Sequence, residues 1–339
     1  MVIKYSNLRD VNNRIQLAEA IPLKGPLTVH VEPTNICNFR CIFCPESLSN
    51  FMEEQGGRHT INITDFEKIL SQISAFKTVK TVNFYMMGEP FINTNIESLV
   101  KRVSELKIAD KLILTTNGSA VSKNRYRKIC ESGLHYLRVS IYGFDQASHF
   151  KTTGSKVPLE RIRNNIVGLK KYRDNNGFNF PHIYVKMVDS HSENDNCSFL
   201  QYFEGIGDEI AIEPLMNWND PDEGLDLDLS ANELLSTDYF KEKKEVCPFP
   251  FYTMVIHADL KVSACCVDWN KKVVVGDLKK NTLEEIWNGE KLRNLQLLHI
   301  RRKKNEIEGC KNCSFLHTSI DHIDCLNEDD FLTKLNHLG

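Results

Sequence analysis

The chain has 339 residues, 41% of them apolar, a formal net charge of -3 and eleven cysteines. That is enough for one large or two ordinary domains with a real core, and the near-neutral charge argues against a nucleic-acid footprint, for which a basic stripe is expected. Residues 1–26 hold no apolar segment behind a basic start, and nowhere do eighteen apolar residues run together; no membrane association and a cytoplasmic location are expected, with the cysteines read as metal or redox ligands.

The first strand candidate, Leu27 to Glu32, is broken by Pro33-Thr34-Asn35 into a loop that carries Cys37-Asn38-Phe39-Arg40-Cys41-Ile42-Phe43-Cys44. Three thiolates at spacing C-x3-C-x2-C hold only three corners of a cubane. A [4Fe-4S] cluster normally takes four cysteines, so the fourth iron is left for a ligand from outside the protein. Zinc is the alternative; it wants paired C-x2-4-C motifs or added histidines, and the nearest further donor, His59, lies beyond a Gly-rich loop.

Further strands are predicted at Thr81 to Met87, Lys111 to Thr116, Tyr136 to Ile141, Ile183 to Val188 and Glu209 to Ile212, each short and rich in β-branched or aromatic residues. Helical periods lie between them: one through Asp65 to Ile73 with Thr64 as N-cap, one over Ile96 to Leu106, and one over Arg161 to Tyr172. Six βα repeats predict an α/β fold, a partial (β/α)6 barrel two units short of closure. Such a barrel carries its chemistry at the C-terminal ends of its strands.

Those ends are polar. Tyr85-Met86-Met87-Gly88-Glu89-Pro90 offers a Gly for close approach and a carboxylate for an ammonium. Thr115-Thr116-Asn117-Gly118 reads as an ordinary turn. Arg138, Ser140 and Tyr142 share one strand face and ask for a polar cavity or ligand. Lys186, Asp189 and Glu213 are either substrate contacts or members of structural ion pairs.

The predicted domains are an N-terminal extension (1–24), the barrel (25–217), an acidic linker (218–240), a small metal-stapled domain (241–325) and a C-terminal tail (326–339). The small domain is expected to hold a β-hairpin (Phe251 to Ile256, Lys261 to Val267, the latter carrying Cys265 and Cys266), a helix from Thr282 to about Ile300, and Cys310-Lys311-Asn312-Cys313. So small a unit needs a staple; on spacing alone a four-cysteine zinc ribbon is as consistent as iron-sulfur.

The x3-x2 spacing with Phe43 before the last cysteine resembles the signature of the radical S-adenosylmethionine (SAM) superfamily. The resemblance implies that Cys37, Cys41 and Cys44 bind a [4Fe-4S] cluster whose open iron takes SAM. Gly88, Glu89 and Pro90 match a G-G-E-P segment that binds the SAM amino group, with Met87 in place of its first Gly; Asn117 matches a T-N-G turn near the ribose, and Ser140 a serine on the SAM carboxylate. Cys247, Cys265, Cys310 and Cys313, with Cys265-Cys266-x-Asp268, resemble the SPASM/twitch extension in its one-cluster form, in which all four ligands to an auxiliary [4Fe-4S] cluster come from protein. Leu260 stands where that pattern has Gly, and Cys266 is the alternative to Cys265. Cys130, Cys197 and Cys325 stay unassigned.

The family's chemistry implies reduction of the first cluster by a flavodoxin- or ferredoxin-type donor, cleavage of SAM to a 5'-deoxyadenosyl radical, and abstraction of a substrate hydrogen. With the auxiliary cluster as electron acceptor, the expected reaction is oxidation of a small polar alcohol, a sugar or aminocyclitol, with Tyr85, Arg138, Tyr142, Lys186, Asp189 and Glu213 as candidate catalytic or substrate-contacting residues. A peptide maturase, an epimerase using a free Cys, and a zinc-bound interaction module are the alternatives.

Overall fold

The structure, a computed structural model, describes residues 15–215, 218 and 244–337. Six parallel strands form close to their expected ends: β1 (Thr28–Val31), β2 (Thr81–Phe84), β3 (Lys111–Thr116), β4 (Tyr136–Ser140), β5 (His182–Val188) and β6 (Glu209–Glu213). They stand side by side in chain order, and most of their residues are buried, as both faces of a parallel sheet require. The intervening helices include Ile63–Ala75, Ile96–Glu105, Lys123–Glu131, Gln146–Thr153, Leu159–Asn175 and Glu193–Tyr202. The first is capped by Asn62, not Thr64: the Asn62 side chain accepts the Asp65 N–H. Its Phe66, Ile69, Leu70 and Ile73 are buried.

The sheet is not closed. At the β1 edge, where an eighth barrel strand would return, it continues into the C-terminal part of the chain: β7 (Thr253–Ile256) pairs parallel with β1, followed by antiparallel β8 (Lys261–Ser263) and β9 (Val274–Asp277). The expected hairpin is therefore present but shorter, has a third strand, and is continuous with the barrel sheet. Phe249–Tyr252 is a helical turn ahead of it, and Cys265 and Cys266 lie in the loop beyond β8 rather than on the strand. The expected helix from Thr282 is two helices, Leu283–Trp287 and Glu290–Ile300, parted at Asn288 and Gly289. The first is tied to the barrel by Leu283 N–H to Gln72 Oε1 (2.7 Å) and Trp287 Nε1–H to the Leu23 carbonyl (3.0 Å). Of the expected acidic linker only Trp218 falls among the described residues.

Leu260 forms the β7–β8 turn in the left-handed region at φ +74°, with its N–H on the His257 carbonyl at 2.9 Å. The turn keeps the conformation that Gly would take without strain. Among the described residues no helix is long and apolar enough to cross a membrane.

Candidate active site

The three-cysteine loop leaves β1 and is held from two sides. Arg40 N–H and Ile42 N–H donate to the carbonyls of Thr153 (2.8 Å) and Thr152 (2.9 Å) at the end of helix Gln146–Thr153, and Cys44 N–H closes a turn on the Cys41 carbonyl (2.9 Å). The Arg40 guanidinium reaches the carbonyls of Cys37 (2.9 Å) and Phe39 (2.7 Å) and the Glu46 carboxylate (3.4 Å). Cys37, Cys41 and Cys44 thereby line one side of a cavity of about 300 Å³ over the C-terminal ends of the strands. Burial pushes the Cys37 thiol up to about 12 and raises those of Cys41 and Cys44 as well. Buried together like this, the sulfurs are thiols unless a metal holds them as thiolates.

Phe43, Gly88, Glu89, Asn117 and Ser140 line the same cavity, as do Tyr85, Arg138, Tyr142 and Lys186. Gly88 sits at φ +73°, and a Cβ there would fall 2.2 Å from the Thr34 carbonyl oxygen, so only glycine fits. Glu89 is buried and already engaged: Thr116 Oγ1–H (2.6 Å) and Phe91 N–H (3.1 Å) donate to one oxygen and Asn117 N–H (2.7 Å) to the other. Burial nevertheless raises its pKa, so a cation in the cavity would complete its environment. Asn117 Nδ2 donates to Asn38 Oδ1 (2.9 Å), fastening the end of β3 to the cysteine loop. The Phe43 and Tyr142 rings meet edge to face, 4.5 Å apart. Pro90 is buried at the start of a 3-10 turn (Pro90–Ile92) and does not line the cavity.

Asp189 and Glu213 are also outside it. Asp189 lies toward a neighbouring cavity, where one carboxylate oxygen accepts His191 N–H (2.9 Å) and Asn196 Nδ2–H (2.7 Å). Glu213 is buried beneath the floor, between Arg138 (3.1 Å), Lys186 (2.7 Å) and the Tyr184 hydroxyl (2.7 Å). Burial alone would raise its pKa, but the two cations bring it down to about 2. The ion-pair reading thus describes Glu213, whose partners Arg138 and Lys186 line the cavity.

The second thiol cavity is smaller than the first and mostly apolar. Cys247, Cys265, Cys310 and Cys313 line it, with Asp268, His299 and Lys304 as its polar residues. Lys304 Nζ donates to the carbonyls of Cys310 (3.3 Å), Lys311 (3.3 Å) and Cys313 (3.2 Å), folding the C-x2-C loop around an ammonium. His299 Nε2 lies 3.8 Å from Cys310 Sγ. Cys266 faces the other way, into the first cavity, so neighbouring thiols stand on opposite sides of one wall. Cys130 is buried within helix Lys123–Glu131. Tetrahedral zinc at Zn–S about 2.3 Å needs sulfurs about 3.8 Å apart, and among the described residues no three His, Cys, Asp or Glu side chains converge as a single-ion site. Thiols ringing a cavity suit a cluster instead.

Sequence reasoning missed a set of buried carboxylates. Glu32, directly after β1, accepts the N–H groups of Met87 (3.1 Å) and Ala258 (3.0 Å) and lies 3.6 Å from His257. Glu46 accepts Gly88 N–H (3.1 Å). Together they hold the Met87–Gly88 backbone, and Glu32 ties it to the β7–β8 turn. Two acids among the cysteines and strand ends of a largely neutral chain were the available signal.

Residues 31–189 match the Radical SAM superfamily and residues 247–314 the SPASM iron-sulfur cluster-binding domain. The chain belongs to the radical SAM superfamily and carries a SPASM domain; its cofactors are SAM and iron-sulfur clusters. It is similar to the S-adenosyl-L-methionine-dependent 2-deoxy-scyllo-inosamine dehydrogenase of Niallia circulans, 20% identical over 84% of this chain and 92% of that protein. It is also similar to GTP 3',8-cyclase of Aquifex aeolicus, 24% identical over 76% of this chain and 77% of the relative. Streptococcus suis SuiB, solved bound to precursor peptide SuiA, shares the fold at a TM-score of 0.62 and 18% identity, covering 83% of this chain and 69% of SuiB.

Proposed function

We propose that this radical SAM enzyme is a dehydrogenase that oxidises a small polar alcohol, of the sugar, polyol or aminocyclitol class. The observation that carries the reading is the second cavity, in which four cysteines leave no corner of a [4Fe-4S] cluster for substrate. Its natural part is then to accept an electron, as a dehydrogenase requires, and the similarity to a SAM-dependent inosamine dehydrogenase over most of both chains points the same way.

Cys37, Cys41 and Cys44 would hold the SAM-binding cluster and Cys247, Cys265, Cys310 and Cys313 the auxiliary one; loaded, the two supply hydrogen-atom abstraction and a one-electron acceptor. Glu89 would receive the SAM ammonium, with the Gly88 backbone, Asn117, Ser140 and Phe43 around the rest of SAM. Arg138 and Lys186 would draw a substrate hydroxyl and lower the cost of its losing a proton, as preorganised cations do, while Glu213 fixes both from below. Tyr85 and Tyr142, whose pKa values burial raises, act here as hydrogen-bond donors rather than bases. Pro90 shapes the turn, and Asp189 is assigned no role. A reducing cytoplasm suits eleven free cysteines.

The test is anaerobic turnover on deuterated candidate alcohols. Deuterium in 5'-deoxyadenosine with one ketone or aldehyde per SAM consumed supports the reading. Cys266 favours a second one: a thiol facing the first cavity suits epimerisation, which would show as solvent deuterium at an inverted carbon with no oxidised product.

A further inference from the structure

Four fully buried polar side chains, Glu32, His257, Ser263 and Asp268, run end to end from the backbone beside the first cavity to the lining of the second. Glu32 Oε2 accepts Met87 N–H next to Gly88, which lines the first cavity, and the same oxygen faces His257 Nδ1 at 3.6 Å. On the far side of the ring, His257 Nε2 lies 2.9 Å from Ser263 Oγ, and Ser263 Oγ–H donates to Asp268 Oδ2 at 2.8 Å. Asp268 lines the second cavity and also accepts the N–H groups of Lys272 (2.8 Å) and Val273 (3.0 Å), closing the loop that carries Cys265 and Cys266. A buried polar chain is stable when every member is satisfied, and the one junction without a hydrogen bond is His257 Nδ1. Glu32 takes an N–H on each oxygen, from Met87 and Ala258; burial would raise its pKa, but His257 and these donors bring it below the usual carboxylate range. A bare Nδ1 would set its lone pair against that carboxylate in a site closed to solvent, and a proton on Nδ1 turns the repulsion into attraction. Neighbouring charges are engaged elsewhere: Asp259 with Lys271 (2.7 Å) and Lys261 (3.8 Å), and Glu46 with Arg40 (3.4 Å).

We infer that His257 is a positioning residue shared by the two cavities. Its Nδ1–H holds Glu32, and through it the Met87–Gly88 backbone beside the SAM site. Its Nε2 holds Ser263 and Asp268, and through them the loop that brings Cys265 to the auxiliary cluster. The inference rests on the proposed function for what fills the two cavities; the contacts themselves involve no substrate. Because coupling between sites is reciprocal, SAM in the first cavity and the cluster in the second then influence each other through one imidazole.

The two ring nitrogens can be replaced one at a time. Counted in bonds from Cβ, the Asn amide nitrogen falls where Nδ1 does and the Gln amide nitrogen where Nε2 does. His257→Gln should weaken SAM binding about tenfold, the loss of one hydrogen bond to a charged group, and leave the auxiliary midpoint in place. His257→Asn should keep the SAM affinity and shift the auxiliary midpoint. Calorimetric titration with SAM and a redox titration followed by electron paramagnetic resonance read the two effects. Glu32→Gln added to His257→Gln should weaken SAM binding no further, since both changes cut one link. In the wild type with its clusters oxidised, nitrogen NMR of 15N-histidine-labelled protein should find Nδ1 of His257 protonated at pH 8. That signal is assigned by its loss in either variant or by its shift in Ser263→Ala, so the proposal stays testable if one variant does not fold. An unprotonated Nδ1 would overturn the inference, as would folded Asn and Gln variants that leave both readings at wild type or alter both alike. Absence of alcohol oxidation in the wild type would instead reject the proposed function, and the SAM, midpoint and NMR readings would still judge His257.

Discussion

The two thiol cavities are built on opposite plans. The first lies at the strand ends and is lined by cysteines, aromatic rings, Glu89, Arg138 and Lys186; the second, much smaller, is lined by Leu295, Phe315 and Leu316 and by three polar side chains besides its cysteines. A wall containing Cys265, Cys266 and Phe315 separates them, and Phe315 lines both. Under the proposed function the difference teaches where to look for each half of the reaction: hydrogen abstraction in the first cavity, electron acceptance in the second.

The strongest way to break this comparison is to empty one cavity at a time. Cys310→Ala/Cys313→Ala should halve the iron of anaerobically reconstituted protein, from about eight to about four per chain. SAM cleavage should survive and oxidised product fall at least a hundredfold. Cys41→Ala should do the reverse, keeping the auxiliary iron and abolishing SAM cleavage. Folding must be checked by circular dichroism, because loss of a metal staple can unfold its surroundings. Normal product formation by a folded double variant would remove the acceptor role.

Glu89 sharpens the comparison at the first cavity. Glu89→Ala deletes the proposed ammonium partner, an interaction worth about 1.5 to 3 kcal/mol, or roughly ten- to a hundredfold in SAM affinity. The same carboxylate holds Thr116 and Asn117, so the variant is also expected to lose stability. Glu89→Gln, of equal size, should recover more of the stability than of the SAM affinity; calorimetric titration with SAM separates the two effects.

Much of this was legible in the sequence, and the reasons for what was not are physical. The six strands were readable because buried parallel strands leave short β-branched runs, and the cysteine spacings because metal ligation fixes them. The pairing of β7 with β1 was not readable: it joins residues more than two hundred positions apart, and no local pattern records it. Glu213 could not be told from a substrate contact because strand alternation gives a face, not a depth. Cys265 was preferred for its register with the family pattern and lines the second cavity while Cys266 does not, but the strand expected to carry both ends at Ser263, because no local pattern marks where a short edge strand gives way to a turn.

Acid should test the barrel floor. His30 is buried on β1, edge to face with Tyr85 at 5.3 Å, and burial lowers its pKa to about 3. The unfolded chain binds a proton on it below pH 6.5 while the folded chain does not, so stability falls as pH drops from 6.5 toward 3. The expected loss from this residue is about 2 kcal/mol at pH 5. Urea unfolding at pH 7 and pH 5 should therefore show a smaller difference for His30→Gln than for wild type. An equal difference would mean that His30 stays accessible to protons in the folded state.

At the second cavity, His299 can donate Nε2–H toward Cys310 Sγ, and burial keeps the ring neutral, its pKa lowered to about 4. Hydrogen bonds to cluster sulfurs raise reduction potentials. His299→Leu should therefore make the auxiliary midpoint more negative and leave that of the SAM-binding cluster in place, as followed by electron paramagnetic resonance during a redox titration. A shift of both midpoints would mean that the two cavities are not independent.

The smallest effect concerns the turn that joins the two cavities' supports. Leu260 at φ +74° bears a strain of about 1 to 2 kcal/mol that glycine would not. Leu260→Gly removes that strain, but it loosens the unfolded chain at a cost of about 0.5 to 1 kcal/mol and gives up the contact of a half-buried side chain with the core. These contributions nearly cancel, so Leu260→Gly should stay within about 1 kcal/mol of wild type. Leu260→Val tests the account from the other direction. It keeps an apolar side chain, yet a β-branched residue at positive φ is a true outlier, so Val should be the least stable of the three although it is chemically the nearest to Leu. Because the Ala258 N–H in this turn donates to Glu32, which also holds Met87, the Val variant should weaken SAM binding in addition to lowering the unfolding midpoint. Val and Gly variants of equal stability would show that the turn relaxes freely and does not transmit its geometry to the first cavity.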